Sequence, residues 1–467
     1  MKTGISWLDV KLGIRMLVKH PGLTLVGGLG MAVAFAVGAG SFTFFYSHLY
    51  PNIPLEDGHR IVAVENWDTK RNNEERRAVH DFATWKRDLK SVQELGAFRN
   101  TMRNLIAPGG PAEAVKIAEM TASGFKVARV RPLLGRYLVP EDEREGAPRV
   151  LVIGHEVWKT RFGGDAGIVG RDVRLGNVVH TVVGVMPERF AFPVSHQYWT
   201  ALQVDPGEYE QRRGPEIHVF GRLAPGVTAE QAQAELATIG RRAAAAYPKT
   251  HAFLRPQVLP YTYPLMDIQD VTLSGVGVMQ LMMSMLLVVV AVNVAILVYA
   301  RTATRLGEIA VRTALGASRL RVVAQLFVEA LVLSSIAALI GLGVAQYGLR
   351  LANAIMDSET GGAPFWIDYG LSFPTVLYTM GLTLLAALIV GVLPALQSTG
   401  KRLTDSLRQL GGGTGMQLGR VWTILIVTQV AFAVAALPVA VAMGWQEVRS
   451  AGTRPTFAAQ EFIAAPV

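Results

Sequence analysis

The 467-residue chain contains no cysteine. That excludes a thiol nucleophile, a Cys-ligated zinc or iron–sulfur site, and a disulfide framework. Charge is scarce as well: Asp, Glu, Lys and Arg make up 17% of the residues and hydrophobic types 51%, a balance too apolar for an ordinary soluble enzyme. No Gly-x-x-x-x-Gly-Lys-Ser/Thr loop occurs, so this chain cannot cradle ATP phosphates by itself, and no Gly-x-Ser-x-Gly elbow occurs either. His155-Glu156-Val157-Trp158-Lys159 lacks the second His of a helical zinc motif, which leaves Glu156 as a surface carboxylate. The run Glu141-Asp142-Glu143-Arg144-Glu145 lacks the glycine and oxygen spacing of a calcium loop and reads as a solvated turn.

Long uncharged runs dominate instead. About 20 residues at 1.5 Å rise cover a bilayer core, and five segments reach that length: 23–46, 275–299, 323–347, 374–396 and 421–444. The first is too long for a cleaved signal peptide. Glu329, the one charge in the third, lies about two turns from Arg321 and is expected at the inner surface. Basic residues near span ends set the orientation. Lys2, Lys11, Arg15 and Lys19 precede the first span, Arg301, Arg305, Arg312, Arg319 and Arg321 follow the second, and Lys401, Arg402, Arg408 and Arg420 follow the fourth. The alternation predicts a plasma (inner) membrane protein with a cytoplasmic leader at 1–22 and a periplasmic domain at 47–270. Because Lys and Arg gather at span ends, the net charge of +9 points to the lipid bilayer and not to nucleic acid.

The first span carries Gly28, Ala32, Ala36 and Gly40 at i, i+4 spacing, beside a second row of Gly30, Ala34 and Gly38; such rows let helix backbones approach closely. Met279, Met282, Met283 and Met285 read as adaptable packing at the start of the second span. Between these spans the chain reads as mixed α and β. Helical spacing covers 79–89, strand patterns cover 61–65, 150–153, 171–175 and 178–185, and Leu175-Gly176-Asn177 marks a turn. Thr228 and Gln231 predict a capped helix over 229–247 with Ala232, Leu236, Ile239 and Ala243 inward.

The inner loop 300–322 is chemically distinctive. Read as a helix, Arg305, Glu308 and Arg312 share a polar face, with Glu308 and Arg312 in the favourable i, i+4 order, while Ile309, Val311 and Leu315 supply apolar positions and Gly316 ends it. The segment GEIAVRTALGASRLRVVAQLFVEALVLS resembles that of the FtsX-like, MacB-like ABC transporter permeases. DVKLGIRMLVKHPGLT, PLLGRYLVPEDE, VWKTRFGGDAGIVGRDVRLGNVVHTVVGVMP, GRLAPGVTAEQAQAEL and GVLPALQS are similar to further blocks of that family.

The resemblance implies a multi-span α-helical membrane protein with a large extracytoplasmic α+β domain. Its porter-like lobe would occupy about 60–145 and 210–268, with a small β-rich lobe inserted at about 146–209. It implies a coupling helix at 300–322, an outer loop at 348–373 and a cytoplasmic linker at 397–420. Arg305, Glu308, Ile309, Arg312, Leu315, Gly316 and Ala317 would form the contact with an ABC ATPase subunit on the inner face. The chain itself would then be no enzyme and hold no cofactor, ATP and Mg being the partner's. The family pattern has four spans; a fifth at 421–444 followed by 445–467 resembles the start of a second outer domain, as in duplicated permeases truncated in the second repeat. A homodimer or second permease half, and a periplasmic adaptor, are the further partners expected. The activity implied is export of antimicrobials, peptides or lipoproteins. A membrane-anchored periplasmic sensor or scaffold is the alternative, and a tethered outer hydrolase is the third reading, for which no constellation is found.

Overall fold

The computed structural model describes residues 7–19, 21–106, 112–266, 273–304, 318–360 and 362–398, together with scattered positions between 423 and 445. They fall into two compact units. One holds the described residues of 1–46, 273–352 and those from 369 onward; the other holds 47–266 and 353–368.

The first unit is almost entirely helical among its described residues. A leader helix spans Trp7–Lys19, and four long helices follow: Pro21–Leu49, Leu273–Thr304, Arg319–Thr360, and a fourth that begins with Phe373–Ala387. Thr24–Leu49, Arg319–Ile355 and Phe373–Leu396 are long and apolar enough to cross a membrane, and the second helix contributes the shorter apolar stretch Gln280–Ile296. Met31, Phe35, Leu287, Ala291, Leu333 and Ala386 form the centre of their shared core. Val33 and Leu339 are exposed, at 65% and 70%. On apolar helices such an outer face suits lipid and not water. The fourth helix is interrupted by a π turn, Leu388–Val392, before it resumes at Leu393–Ser398. Pro394 explains the interruption: it has no N–H to offer the carbonyl of Val390, and the ladder shifts register to accommodate it. The fifth expected span is described at only a few positions, one of which, Gln429, donates from Nε2 to Asn293 Oδ1 at 3.0 Å.

The second unit is built on an eleven-stranded sheet. Its strands are β1 (Ile61–Asp68), β2 (Asn73–Glu75), β3 (Val92–Ile106), β4 (Ala112–Met120), β5 (Leu134–Gly135), β6 (Val150–Ile153), β7 (Asp172–Leu175), β8 (Val178–Val185), β9 (Tyr198–Ala201), β10 (His218–Leu223) and β11 (Leu254–Pro260). The order is β11-β1-β10-β3-β4-β9-β6-β8-β5, antiparallel except at β4–β9 and β6–β8. The inserted β-rich lobe therefore shares one sheet with the rest. The 15-residue β3 joins the two parts: its first half pairs with β10, and its tip pairs with β7 through Leu105↔Leu175. Because β7 also pairs with β8, the strands β3-β4-β9-β6-β8-β7 close into a ring. Leu105, Ile117, Leu151, Val173, Val182 and Tyr198 fill it.

Local signals explain several elements. The β7–β8 hairpin turns at Gly176, whose φ of +60° is the left-handed region that glycine enters without a Cβ penalty. Helix Ala229–Ala246 starts with the expected capping box: Thr228 accepts from the Gln231 N–H, and Gln231 Oε1 accepts from the Thr228 N–H at 3.0 Å. Ala232, Leu236 and Ile239 are buried on its inner face, and Ala243 is half-buried.

The acidic run differs from the solvated turn expected of it. Pro140–Glu143 is a short 3-10 turn, and Asp142 is buried. Burial alone would raise the Asp142 pKa, but the two-pronged Arg136 guanidinium, at 2.6 and 3.0 Å, and the Val139 N–H hold it below the usual range. Burial pushes Glu143 up, and its Oε1 accepts from the Ala122 N–H at 2.6 Å. Both carboxylates are taken into the fold because they satisfy backbone donors that would otherwise be orphaned.

Candidate functional site

Close packing concentrates on the first helix of the membrane unit. A Cβ built on Gly341 of the third helix would lie 2.6 Å from Phe35 Cβ and 2.7 Å from the Ala32 carbonyl oxygen. The same Cβ would come within 3.1 Å of Ala36 N, so the two backbones cross nearly in contact over Ala32 and Ala36. Gly28 faces Leu333 of the third helix at 3.6 Å, while Gly40 has nothing within 4 Å. The second row turns elsewhere: Gly30 meets Val290 of the second helix at 3.2 Å and Gly38 meets Leu382 of the fourth at 3.4 Å. The fourth helix approaches the third at its π turn, where a Cβ on Gly391 would fall 2.8 Å from the Leu326 carbonyl oxygen.

A polar cluster ties three of these helices together. Gln280 of the second donates from Nε2 to the Tyr378 hydroxyl of the fourth at 2.7 Å, and its Oε1 accepts from Ser41 Oγ of the first at 3.1 Å. Ser284, one turn on, lies 2.6 Å from the same tyrosine oxygen, and Phe42 stacks on the Tyr378 ring at 4.4 Å. Thr43 and Thr375 share a buried hydroxyl contact at 3.0 Å. Sequence reading passed over Gln280; its signal was an amide at i, i+4 from Ser284 inside an otherwise apolar run. Glu329 accepts from Gln325 Nε2 at 3.1 Å. The expected coupling residues Arg305, Glu308, Ile309, Arg312, Leu315, Gly316 and Ala317 lie outside the described residues.

In the outer unit, the segment between the third and fourth helices is more than a connecting loop. Residues 353–368 belong to this unit. Trp366 is 4% exposed, edge-on to Tyr261 at 5.7 Å, and Phe365 is edge-on to Phe192 while its N–H donates to the Val194 carbonyl at 2.8 Å. Tyr261 in turn donates to the Pro193 carbonyl at 2.7 Å. The chain thus enters this core from three places in sequence: after the first helix, before the second, and between the third and fourth.

The fold also assembles a hydroxyl–imidazole–carboxylate string that residues so far apart in sequence did not reveal. Thr250 Oγ1 is 2.7 Å from His251 Nδ1, and His251 Nε2 is 3.2 Å from Asp81 Oδ1. That is the order of a hydrolase triad. His251 is 3% exposed, however, and the adjoining cavity is about 10 Å³, too small for a substrate. Asn66 saturates the other Asp81 oxygen at 2.8 Å, so the string fastens Pro248–His251 to Val79–Asp88 and does no chemistry. Among the described residues no group of His, Asp and Glu is arranged to hold a metal.

A bundle of apolar helices with a large α/β domain inserted after its first member defines an integral membrane protein with an extracytoplasmic domain. Two family models match in tandem: the MacB-like periplasmic core domain over residues 23–239 and the FtsX-like permease C-terminal over residues 281–403. The chain belongs to the FtsX-like, MacB-like ABC transporter permeases. It is 25% identical over 276 residues to the macrolide export ATP-binding/permease protein MacB of Nitrosomonas europaea, an alignment spanning 56% of this chain and 38% of that protein. The periplasmic region of MacB from Actinobacillus actinomycetemcomitans aligns at 14% identity and a TM-score of 0.35, covering 46% of this chain and 95% of that one. The extracellular domain of the ABC-type transporter YknZ from Gram-positive bacteria aligns at 13% identity and a TM-score of 0.31, over 43% of this chain and 99% of that one.

Proposed function

We propose that this chain is the permease subunit of an ABC transporter, passing ATP-driven motion from a separate ATPase to its periplasmic domain for the export of antimicrobials, peptides or lipoproteins. The observation that carries the reading is Trp366 in the outer core. With the segment between the third and fourth helices built into that core, displacement of those helices has a covalent route into the outer domain beyond the connections at its own two ends. Closely crossed helices joined by a polar cluster suit an element that moves between discrete packings. The Nitrosomonas europaea relative is named for both an ATP-binding and a permease function; no phosphate-binding loop occurs in these 467 residues, and the reading assigns the hydrolysis to a separate ATPase. The N-terminus is cytoplasmic, Glu308 and Arg312 lie at the ATPase contact, and a second permease half completes the transporter, with a periplasmic adaptor as a further partner.

The test is a pull-down of the tagged full chain from native membranes in mild detergent, with partners identified by mass spectrometry, for the parent and for Arg312→Glu. Recovery of an ABC ATPase with the parent and its loss with the variant is expected. Absence of an ATPase from both would overturn the energised reading in favour of a membrane-anchored sensor; equal recovery and equal transport would overturn the assignment of the contact.

A further inference from the structure

The closed ring β3-β4-β9-β6-β8-β7 does not keep its apolar interior to the end. Arg99, Thr101 and Arg103 alternate along β3 on the same side as the core residue Leu105, so three successive positions of an inward face are polar or charged. A cavity of about 270 Å³ opens there, lined from all six strands of the ring or residues next to them. Barrel mouths are recurrent ligand sites, and an inward face that breaks the apolar rule without a packing reason is expected at functional positions.

The charges around the cavity do not balance. Arg99, Arg103 and Arg149 line it against a single carboxylate, Glu119. Arg99 takes that carboxylate at 2.5 Å, Arg103 reaches it only at 3.8 Å, and Arg149 has no ion pair among the described residues. Two guanidinium forks are thus left with donors to spare. The Thr101 hydroxyl, between Arg99 and Arg103 on the same strand, is buried with no hydrogen-bond partner, a deficit that normally has an explanation. His180 lines the same cavity, with Nδ1 3.2 Å from the Val178 carbonyl, which leaves Nε2 available. Burial, then the Arg149 and Arg103 charges, pull its pKa down. Ile117, Val150 and Val178 form an apolar wall.

We infer that this mouth is a binding site for a phosphate monoester carrying a short apolar body. Two unspent guanidinium groups match a dianion, and their planar forks suit phosphate oxygens bidentately. The apolar wall discriminates an organic ester from inorganic phosphate. A carboxylate monoanion would leave one cation unmatched. The ester could be a soluble metabolite or the headgroup of a lipid, and these share the recognised chemistry.

The experiment uses the purified full chain in detergent and isothermal titration with four probes: inorganic phosphate, butyl phosphate, butyrate and water-soluble dihexanoyl phosphatidic acid. Saturable binding of butyl phosphate is expected, tighter than inorganic phosphate or butyrate, and weakened about tenfold or more by Arg149→Gln and again by Arg103→Gln. Arg255→Gln, on β11 away from the ring, is expected to leave it unchanged. Tighter binding of the phosphatidic acid than of butyl phosphate would identify a lipid source, and equal or weaker binding a soluble one. Arg149 is exposed, so its variant should retain the parent's melting temperature. As an independent readout, bound phosphate should raise the His180 pKa. No saturable binding of either ester, or binding indifferent to both arginine substitutions, would overturn the site. Neither result depends on an ATPase partner.

Discussion

The Gln280 side-chain amide donates to the Tyr378 hydroxyl across 2.7 Å, joining the second and fourth helices at a level where Ser41 of the first also reaches the amide. In a bilayer no water competes for these groups, so the cluster specifies which faces meet. Tyr378→Phe removes the shared oxygen while keeping the ring stacked on Phe42. It should lower stability by about 0.6 to 1.7 kcal/mol, measured as a shift in unfolding midpoint of the full chain in detergent. Gln280→Leu in the Tyr378→Phe background should add little, because both partners of the main bond are then gone. Fully additive losses would show that the two residues act separately.

Gly341 makes a sharper claim, because the same helix contains its control. Its Cβ would meet Phe35 and the Ala32 carbonyl within 2.7 Å, whereas a Cβ at Gly343 has nothing within 4 Å. Gly341→Ala should destabilise the bundle by about 1 to 3 kcal/mol through overpacking. Gly343→Ala should be neutral or slightly stabilising through helix propensity. Thermal melts of the two variants beside the parent decide the matter, and equal effects would mean that the third helix does not cross the first at this point.

Trp366 lies in the outer core although its segment reads in sequence as a connecting loop. Trp366→Ala should cost about 3 to 5 kcal/mol by the cavity it leaves. If the segment also transmits movement, Trp366→Phe, which keeps an aromatic contact with Tyr261, should restore stability ahead of transport. Limited proteolysis of the full chain measures the first effect, and transport in membranes the second. Unchanged protease resistance of Trp366→Ala would show that the segment is not part of the core.

Local chemistry was legible in the sequence where it is written within a few residues. Thr228 and Gln231 cap their helix because both partners sit within one turn, and the Gly and Ala rows of the first helix stand out by i, i+4 spacing. Pairings across long stretches were not legible. Closure of the ring depends on Leu105 meeting Leu175, and the buried string depends on Asp81 meeting His251, 170 residues away. Periodicity reports which face of an element is apolar; it does not report which distant element covers that face. In the acidic run the same limit applies to Glu143, whose backbone donor Ala122 lies 21 residues upstream; Asp142 is held locally, by Arg136 and the Val139 N–H.

A buried and a half-buried imidazole predict the pH response of the outer domain. Phe98 stacks on His218 at 5.0 Å and sits edge-on to His196, which is fully buried with Nε2 2.8 Å from Asn100 Oδ1. Burial, reinforced by Lys116 and His218, pulls His196 down to about 3; burial, reinforced by Arg76, pulls His218 down to about 4. Both folded-state values lie below the unfolded value of about 6.5, so between them the unfolded chain binds protons that the folded chain does not. Stability is then fully present above about pH 6.5 and declines as pH falls, by about 1.4 kcal/mol per unit for each imidazole. The loss from His218 should level off near pH 4, and that from His196 near pH 3. His218→Phe keeps the stack with Phe98 and removes one titration, so the slope of stability against pH between 6 and 4.5 should fall by about half. Unfolding midpoints of the full chain in detergent across that window measure the slope. A parent that is flat from pH 7 to 4.5 would mean that both imidazoles titrate normally and that neither is sealed in the core.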